Sequence, residues 1–306
     1  MRVLLKIPSV INKNLKNLFR QPRCAIHETK MACSKYEYVK NFELDDRILP
    51  HTWIIVRIDG KGFHKFSKKH DFEKPNDMKA LNLMNYAATY VMKEFTDIIL
   101  AFGQSDEYSF VFHKSTDVYN RRNSKIMSNV NSLFTSAYVM HWDQFLPDTK
   151  LLYPPCFDAR IVLYPTDQNL RDYLSWRQAD VHINNLYNTC FWTLVQKGGL
   201  TCQQAEERLR GTVSSDKNEL LFSEYGINYN NLDPMYKKGT ILLRKQINIP
   251  GIDKTRTLIV PFYEDMIRDD FWIKNDELLE KKKPKFHELD VTNIPIILKK
   301  QIEKHR

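Results

Sequence analysis

The chain has 306 residues, of which 42% are hydrophobic and 27% charged, with 9 Gly and 13 Pro, so collagen-like and low-complexity classes are excluded. No run approaches about 18 consecutive apolar residues, which excludes a membrane-spanning helix. The net charge of +9 sits at the ends: residues 1–30 carry seven Lys/Arg against one acid and residues 281–306 eight against three, so the body is nearly neutral and any polyanion site must be a local patch.

The length suggests one or two domains with a sizeable core. Five cysteines, Cys24, Cys33, Cys156, Cys190 and Cys202, are scattered with no C-x-x-C pair, so neither a zinc site nor a disulfide framework is indicated. Residues 2–23 hold Arg2, Lys6, Lys13, Lys16, Arg20 and Arg23 and no acid, with Leu4, Ile7, Ile11, Leu15 and Leu18 at helical spacing. That composition fits a mitochondrial transit peptide; a disordered basic arm, or an extension ahead of a start at Met31, fits it too. Residues 1–30 are therefore set apart from the fold.

In the body, residues 53–58 form a short β-branched run that reads as a buried strand, ending in the turn Asp59-Gly60-Lys61-Gly62. From Asp77, a candidate N-cap, Leu81, Met84, Ala88, Val91 and Phe95 mark an amphipathic helix of roughly 18 residues. The runs 98–102 and 108–112 flank the polar Gly103–Glu107 and read as a hairpin. Ile126, Val130, Leu133, Ala137 and Met140 mark a second helix, and Phe157 to Tyr164 a strand. The order is β-α-β-β-α-β, the ferredoxin-like pattern, within an α+β fold. Residues 169–197, 201–210 and 215–225 read as helices and Met235 to Arg244 as a late strand. Beyond Asn248 the pattern weakens, and Lys281–Lys285 reads as a solvated tail or linker. Four segments follow: a leader at 1–30, a catalytic part at 31–165, a mainly helical portion at 166–247 and a C-terminal segment with a basic tail at 248–306.

In this topology Asp59 ends the first strand and Asp106 lies in the hairpin turn, so the two acids can approach across the sheet. With Glu107 they could hold a pair of magnesium ions about 3.5–4 Å apart, because magnesium prefers a few carboxylates completed by water and phosphate oxygens. Gly60, without a Cβ, lets its carbonyl come close to a metal or phosphate. Lys61, Gly62, Phe63 and His64 would open a helix suited to a triphosphate. Each motif also has a plainer reading, since Asp-Gly is a common turn pair and Gln104-Ser105-Asp106-Glu107 could be only a polar hairpin turn.

The stretch Ser175–Thr189 is the second informative one. On a helix, Asp180, Asn184, Tyr187 and Asn188 share one side, with Trp176 and Arg177 close by. Amides and an aromatic interleaved with Arg suit phosphate, sugar and an unstacked base; a polar helix face explains them as well. His182 alone reads as an ordinary packed histidine. Asp216-Lys217-Asn218-Glu219 resembles a capping-box start, or puts Lys217 near a phosphate. Lys74-Pro75-Asn76-Asp77 sets a basic residue beside a cap. Met and aromatic positions in the helices read as core.

Five motifs, Arg57–His64, Lys74–Asp77, Gly103–Phe110, Ser175–Thr189 and Asp216–Glu219, together closely resemble the tRNA-histidine guanylyltransferase family, in the same order, from about Met31 to about Arg244. The likeness is to a eukaryotic member. It implies a catalytic domain similar to the palm of template-dependent polymerases, and addition of a guanylate to the 5′ end of tRNA-histidine in the 3′→5′ direction. ATP would activate the 5′-phosphate, the GTP 3′-hydroxyl would attack it, and pyrophosphate would be removed. The resemblance implies that Asp59 and Asp106 bind two magnesium ions, the Gly60 carbonyl one of them, with Glu107 in support. It implies that Asp59 to His64 with Ser105 cradle a triphosphate. Lys74, Asp77, His182, Asn185 and Lys217 match positions that handle nucleotide or tRNA, and Arg177 is grouped with the tRNA contacts. It also implies a homotetramer. The leader leaves the compartment cytoplasmic and/or mitochondrial. The rivals are a nucleotidyl cyclase, a repair-type 3′→5′ RNA polymerase and a non-catalytic tRNA-binding protein.

Overall fold

The computed structural model describes residues 34–249, 254–280, 283–290 and 294–303. The expected leader, Met31, Cys24 and Cys33 lie outside them, as do Lys281 and Lys282 of the basic run. The chain falls into two units, Met1–Asp45 and Asp46–Arg306. In the first, Glu37–Phe42 makes a 3-10 turn and Lys40 pairs with Glu37 at 2.7 Å.

The second unit is built on one sheet. Strands β1 (Trp53–Gly60), β2 (Ile98–Gln104), β3 (Glu107–Phe112) and β4 (Phe157–Tyr164) form where the β-branched and aromatic runs predict them. Helices α1 (Phe63–Lys69), α2 (Met78–Glu94), α3 (Asn123–Met140) and α4 (Trp142–Phe145) lie between them. Asp77 caps α2 as expected, its Oδ1 accepting from Ala80 N at 2.9 Å. The sheet has six strands in the order β4-β1-β3-β2-β5-β6, every neighbouring pair antiparallel.

The last two strands depart from the sequence reading. The stretch expected as a strand from Met235 begins as a helix, α8 (Pro234–Lys238), because Pro234 is pre-set for a first helical turn and Asp233 caps it. The strand β5 is Thr240–Ile247, and β6 is Arg256–Phe262, where no element was expected. Between β4 and α8 run α5 (Asp167–Gln196), α6 (Cys202–Leu209) and α7 (Ser214–Tyr225). The short helices α9 (Asp269–Lys274), α10 (Glu277–Glu280) and α11 (Ile296–Glu303) follow β6.

Strand alternation divides the core. Ile54, Val56, Ile58, Tyr108 and Phe110 face α2 and α3, meeting Leu83, Val91, Val130 and Phe134. Trp53, Ile55, Leu100 and Val111 face the other way, meeting Leu170, Tyr173 and Leu174 of α5 and Phe271 and Trp272 of α9. Each such fully buried side chain contributes about 1.5–3 kcal/mol. The C-terminal half of α5 packs its own cluster with α6 and α7 through Leu186, Cys190, Leu194, Ala205 and Leu221. At about 1.5 Å per residue, the 30-residue α5 runs roughly 45 Å, long enough to link the sheet to that cluster.

Arg121 staples the entry to β1. Tyr119, Asn120 and Arg121 all have left-handed φ, an unfavourable run for non-glycine residues. The Arg121 guanidinium offsets it by donating to the carbonyls of Leu49 (2.6 Å), Thr52 (3.1 Å) and Thr116 (3.0 Å). Arg121→Met is expected to lower stability by about 2 kcal/mol, because those carbonyls lose their donor. Urea unfolding would show it as a lower midpoint at unchanged slope.

Candidate active site

The β1–β3 register sets Asp59 opposite Glu107, and the β1–β4 register sets Asp158 opposite Asp59. Three acids therefore cross three strands in one row. Asp106 follows from the hairpin turn, where Ser105 adopts φ +48° and Asp106 O accepts from Gly60 N at 3.1 Å. Asp59 and Asp106, separated by 47 positions along the chain, thus meet at one strand end. Asp158 is tied to Arg160 at 2.8 Å. No motif marks Asp158, and only the strand register reveals it.

The acids differ in their surroundings. Burial pushes the Asp106 carboxyl up to about 6, against the Ser105 hydrogen bond that lowers it, and the charges of Asp59 and Glu107 push the same way as burial. Burial also raises Glu107, although the Arg177 and Arg57 guanidiniums oppose it. Arg177 donates to Glu107 at 3.2 Å, pairs with Asp180 at 3.4 Å and lies over the Trp176 ring at 3.4 Å. It is buried, and those donors hold α5 against β3 instead of pointing outward. Arg57 stands 4.0 Å from Glu107.

The turn after Asp59 needs its glycines. A Cβ on Gly60 would lie 2.5 Å from the Phe63 ring, and Gly62 caps α1 at φ +66°. Lys61 N donates to Cys156 O at 2.8 Å, fixing the turn against the start of β4. Gly60→Ala should push the Phe63 ring aside, lowering stability by about 1–3 kcal/mol. Calorimetry on the purified variant checks this, and an unchanged melting temperature would contradict it.

Asp59, Asp106 and Glu107 open onto a cleft of about 640 Å³. Phe63, His64, Lys74, Asp77 and Ser105 line it, and so does Asn185. Across the cleft α5 presents Asp180, Asn184, Tyr187 and Asn188, the four residues expected on one helix face. Lys74 extends over the Trp192 ring at 5.9 Å and reaches Ser67 Oγ at 3.2 Å; burial lowers its pKa, partly countered by Asp77. Both Asp77 oxygens are occupied by backbone donors, Ala80 N and Glu73 N. Asn76 donates to Asn185, and Asn185 to Tyr229, at 2.9 and 3.0 Å, bracing the loop before α2 against α5. Trp192 and this amide relay escaped the sequence reading.

His182 and Lys217 are not among the residues lining the cleft. His182 is exposed on α5, its ring 5.5 Å from Tyr229. Lys217 Nζ donates to Thr212 O at 2.8 Å. The helix α7 starts at Ser214, so Asp216 lies within its first turn and accepts from Val213 N at 2.9 Å.

Among the described residues no three His, Cys, Asp or Glu side chains form a ready-made metal cage. The oxygen donors of Asp59, Asp106 and the Gly60 carbonyl still fit a hard cation that keeps water and phosphate ligands. Burial, and after it the charges of Asp59 and Glu107, disfavour the ionised Asp106, and a bound cation would offset both.

The chain matches the Thg1 family, described as tRNAHis guanylyltransferase, over residues 36–165, and the Thg1 C terminal domain over residues 168–297. It is 61% identical over 272 residues to a Drosophila melanogaster protein named "Probable tRNA(His) guanylyltransferase", covering 89% of this chain and 94% of that one. The crystal structure of the tRNA(His) guanylyltransferase from Saccharomyces cerevisiae superposes with a TM-score of 0.66 at 53% identity, covering 68% of this chain and 93% of that one. A bacterial tRNA(His) guanylyltransferase (Thg1)-like protein in complex with ATP shares the fold, with a TM-score of 0.62 at 22% identity over 81% of this chain and 98% of that one. Motifs, fold and relatives agree: the chain belongs to the tRNA(His) guanylyltransferase family.

Proposed function

We propose that this protein is a nucleotidyltransferase that adds a guanylate to the 5′ end of tRNA-histidine in the 3′→5′ direction. The observation that carries the reading is the meeting of Asp59 and Asp106 at one strand end, at the mouth of a nucleotide-sized cleft. The run β4-β1-β3-β2, with α2 and α3 packed on one face, supports a ferredoxin-like, polymerase-palm architecture for this part of the chain.

The reaction divides into three phosphoryl transfers. An oxygen of the tRNA 5′-monophosphate attacks the α-phosphorus of ATP, and pyrophosphate leaves. The 3′-oxygen of GTP then attacks the activated 5′-phosphorus, and AMP leaves. Water finally cleaves pyrophosphate from the added nucleotide. Positioning and electrostatics supply most of the acceleration in such transfers.

Asp59, Asp106 and the Gly60 carbonyl would hold two magnesium ions. When bound, those ions lower the pKa of the attacking hydroxyl and neutralise charge building on the phosphoryl oxygens. Asp59, Phe63 and His64, with Ser105, would frame the triphosphate end of the cleft; Gly60, Lys61 and Gly62 are not among its lining residues and shape the turn behind it. Arg177 holds Glu107 in place behind the metal ligands and ties the motif of α5 to them. Lys74 and Asp77 form the wall at the nucleotide's other end. His182, Asn185 and Lys217 belong to the tRNA side; His182 is exposed for direct contact, whereas Asn185 acts by bracing the loop. Assembly as a homotetramer fits the exposed apolar side chains Trp176 and Ile183 on α5, which do not line the cleft. The basic, acid-free segment at residues 2–23 supports mitochondrial placement, with cytoplasmic placement the alternative or the complement.

The test is incubation with 5′-monophosphorylated tRNA-histidine, ATP, magnesium and labelled GTP, followed by mapping of the label. One labelled guanylate at the 5′ end is expected. A cyclic product formed without RNA would point to a cyclase. Repair of truncated tRNAs of other specificities at equal efficiency would point to the broader polymerase.

A further inference from the structure

The outer face of helix α1 is strongly basic. Residues 61–70 hold four lysines, Lys61, Lys65, Lys68 and Lys69, and no acid, in a body that is otherwise nearly neutral. All four lysines are exposed. Phe66 is buried in the core and Phe63 packs against it, so α1 turns its lysines outward. Within the helix Lys68 and Lys69 lie three and four positions beyond Lys65, which makes the three neighbours on adjoining turns about 5.4 Å apart.

Several other surface cations are held by acids. Arg160 pairs with Asp158 at 2.8 Å, Lys114 with Asp167 at 2.9 Å, Arg210 with Glu207 at 2.9 Å and Lys274 with Glu264 at 2.6 Å. Among the described residues Lys61, Lys65, Lys68 and Lys69 form no ion pair. A second acid-free run, with Lys237, Lys238, Arg244 and Lys245, keeps two of its cations inside: Arg244 donates to Phe95 O at 3.1 Å and Lys245 meets Glu277 at 2.6 Å. Like charges three and four positions apart on a helix repel, so the α1 face is unfavourable until a counter-charge covers it. Lys68 and Lys69 also suit the C-terminal end of the helix dipole, which accounts for neither Lys61 nor Lys65.

This face continues directly from the catalytic turn. Lys61 follows Asp59 by two positions, its backbone N bound to Cys156 O, and His64 lines the cleft. An RNA whose 5′-phosphorus reacts at Asp59 and Asp106 must carry its next phosphates over the adjoining surface. We propose that Lys65, Lys68 and Lys69 form a binding surface for backbone phosphates of the RNA substrate, on the strand that carries the reacting 5′ end; this rests on reading the cleft as a nucleotidyltransferase site. Ammonium groups on flexible stems act as point charges and read no base. The surface therefore contributes affinity and placement, and leaves the choice of RNA to other residues.

The full-length triple variant Lys65→Gln, Lys68→Gln, Lys69→Gln tests this, since glutamine matches lysine in helix preference without the charge. Binding of 5′-monophosphorylated tRNA-histidine is measured across a salt series, without ATP or GTP. At about 0.1 M salt the variant's affinity should fall roughly tenfold or more, and the slope of log affinity against log salt should become shallower by about 2 to 3. A 5′-phosphorylated acceptor-stem duplex should show the same change. The melting temperature and the calorimetric affinity for GTP in magnesium should stay as in wild type, and guanylate addition should show a raised KM for tRNA at unchanged kcat. Unchanged RNA affinity and slope would overturn the proposal, and loss of binding to phosphatidylserine vesicles in their place would assign the face to a membrane. A loss confined to the whole tRNA and missing with the duplex would also overturn it. So would an equal loss on replacing the exposed Lys79, Lys197 and Lys254 with glutamine, which removes the same charge elsewhere. Wild-type protein that binds no tRNA would overturn the nucleotidyltransferase reading itself, before any variant is compared.

Discussion

Asp106→Asn is expected to lower guanylate addition by about three orders of magnitude or more, since a metal ligand contributes several kcal/mol to stabilising the transition state. The protein should remain folded. Asp106 is half-buried beside Asp59 and Glu107, so its charge is unfavourable in the metal-free chain, and asparagine removes that charge at the same size. The metal-free variant should therefore melt no lower than wild type, while magnesium with GTP should no longer raise its melting temperature. Single-turnover addition to tRNA-histidine measures the first effect and scanning calorimetry the second. Near-normal magnesium-dependent addition by this variant would remove Asp106 from the site.

Glu277→Leu carries the largest expected effect on stability, about 3–5 kcal/mol. Lys245, on β5, directs its ammonium into the interior, where it meets Glu277 at 2.6 Å and Asn275 at 2.7 Å. Both ionic side chains are nearly sealed from water, at 6% and 4% exposure. Removing the carboxylate leaves a buried cation with one neutral partner. The double variant Lys245→Met with Glu277→Leu should recover most of the loss, because a matched apolar pair avoids the desolvation of both charges. Chemical unfolding of the two single variants and the double variant gives the coupling. A single variant as stable as the wild type would show the pair to be dispensable.

The core of the fold was legible because its periodicities are strong. The apolar run at 53–58, the paired runs around Gly103–Glu107 and the helical spacing after Asp77 each became the element they predict, and Asp77 became the N-cap. The region after Asn248 was not legible. There the helices are four to eight residues long, too short for a periodic signal, and Pro261 interrupts the apolar run that becomes β6. Met235 to Lys238 carries apolar residues that suit a strand, but Asp233-Pro234 opens a helix and Gly239 ends it.

The same contrast holds in the site. The approach of Asp59 to Asp106 follows from strand order, which the element sequence suggested. The bond from Asn76 to Asn185 spans 109 positions and depends on how α5 lies across the sheet, which no local pattern records. Arg177 reads in sequence as an RNA contact, yet its environment, between Glu107 and Asp180, is set by that packing.

Divalent cations are expected where the first strand meets the hairpin turn. Anomalous diffraction from crystals grown with manganese and GTP measures this directly. Metal peaks within coordination distance of the Asp59 and Asp106 carboxylates, bridged by the triphosphate, are the predicted result. Manganese and triphosphate bound elsewhere on the protein, with both carboxylates left uncoordinated, would contradict it.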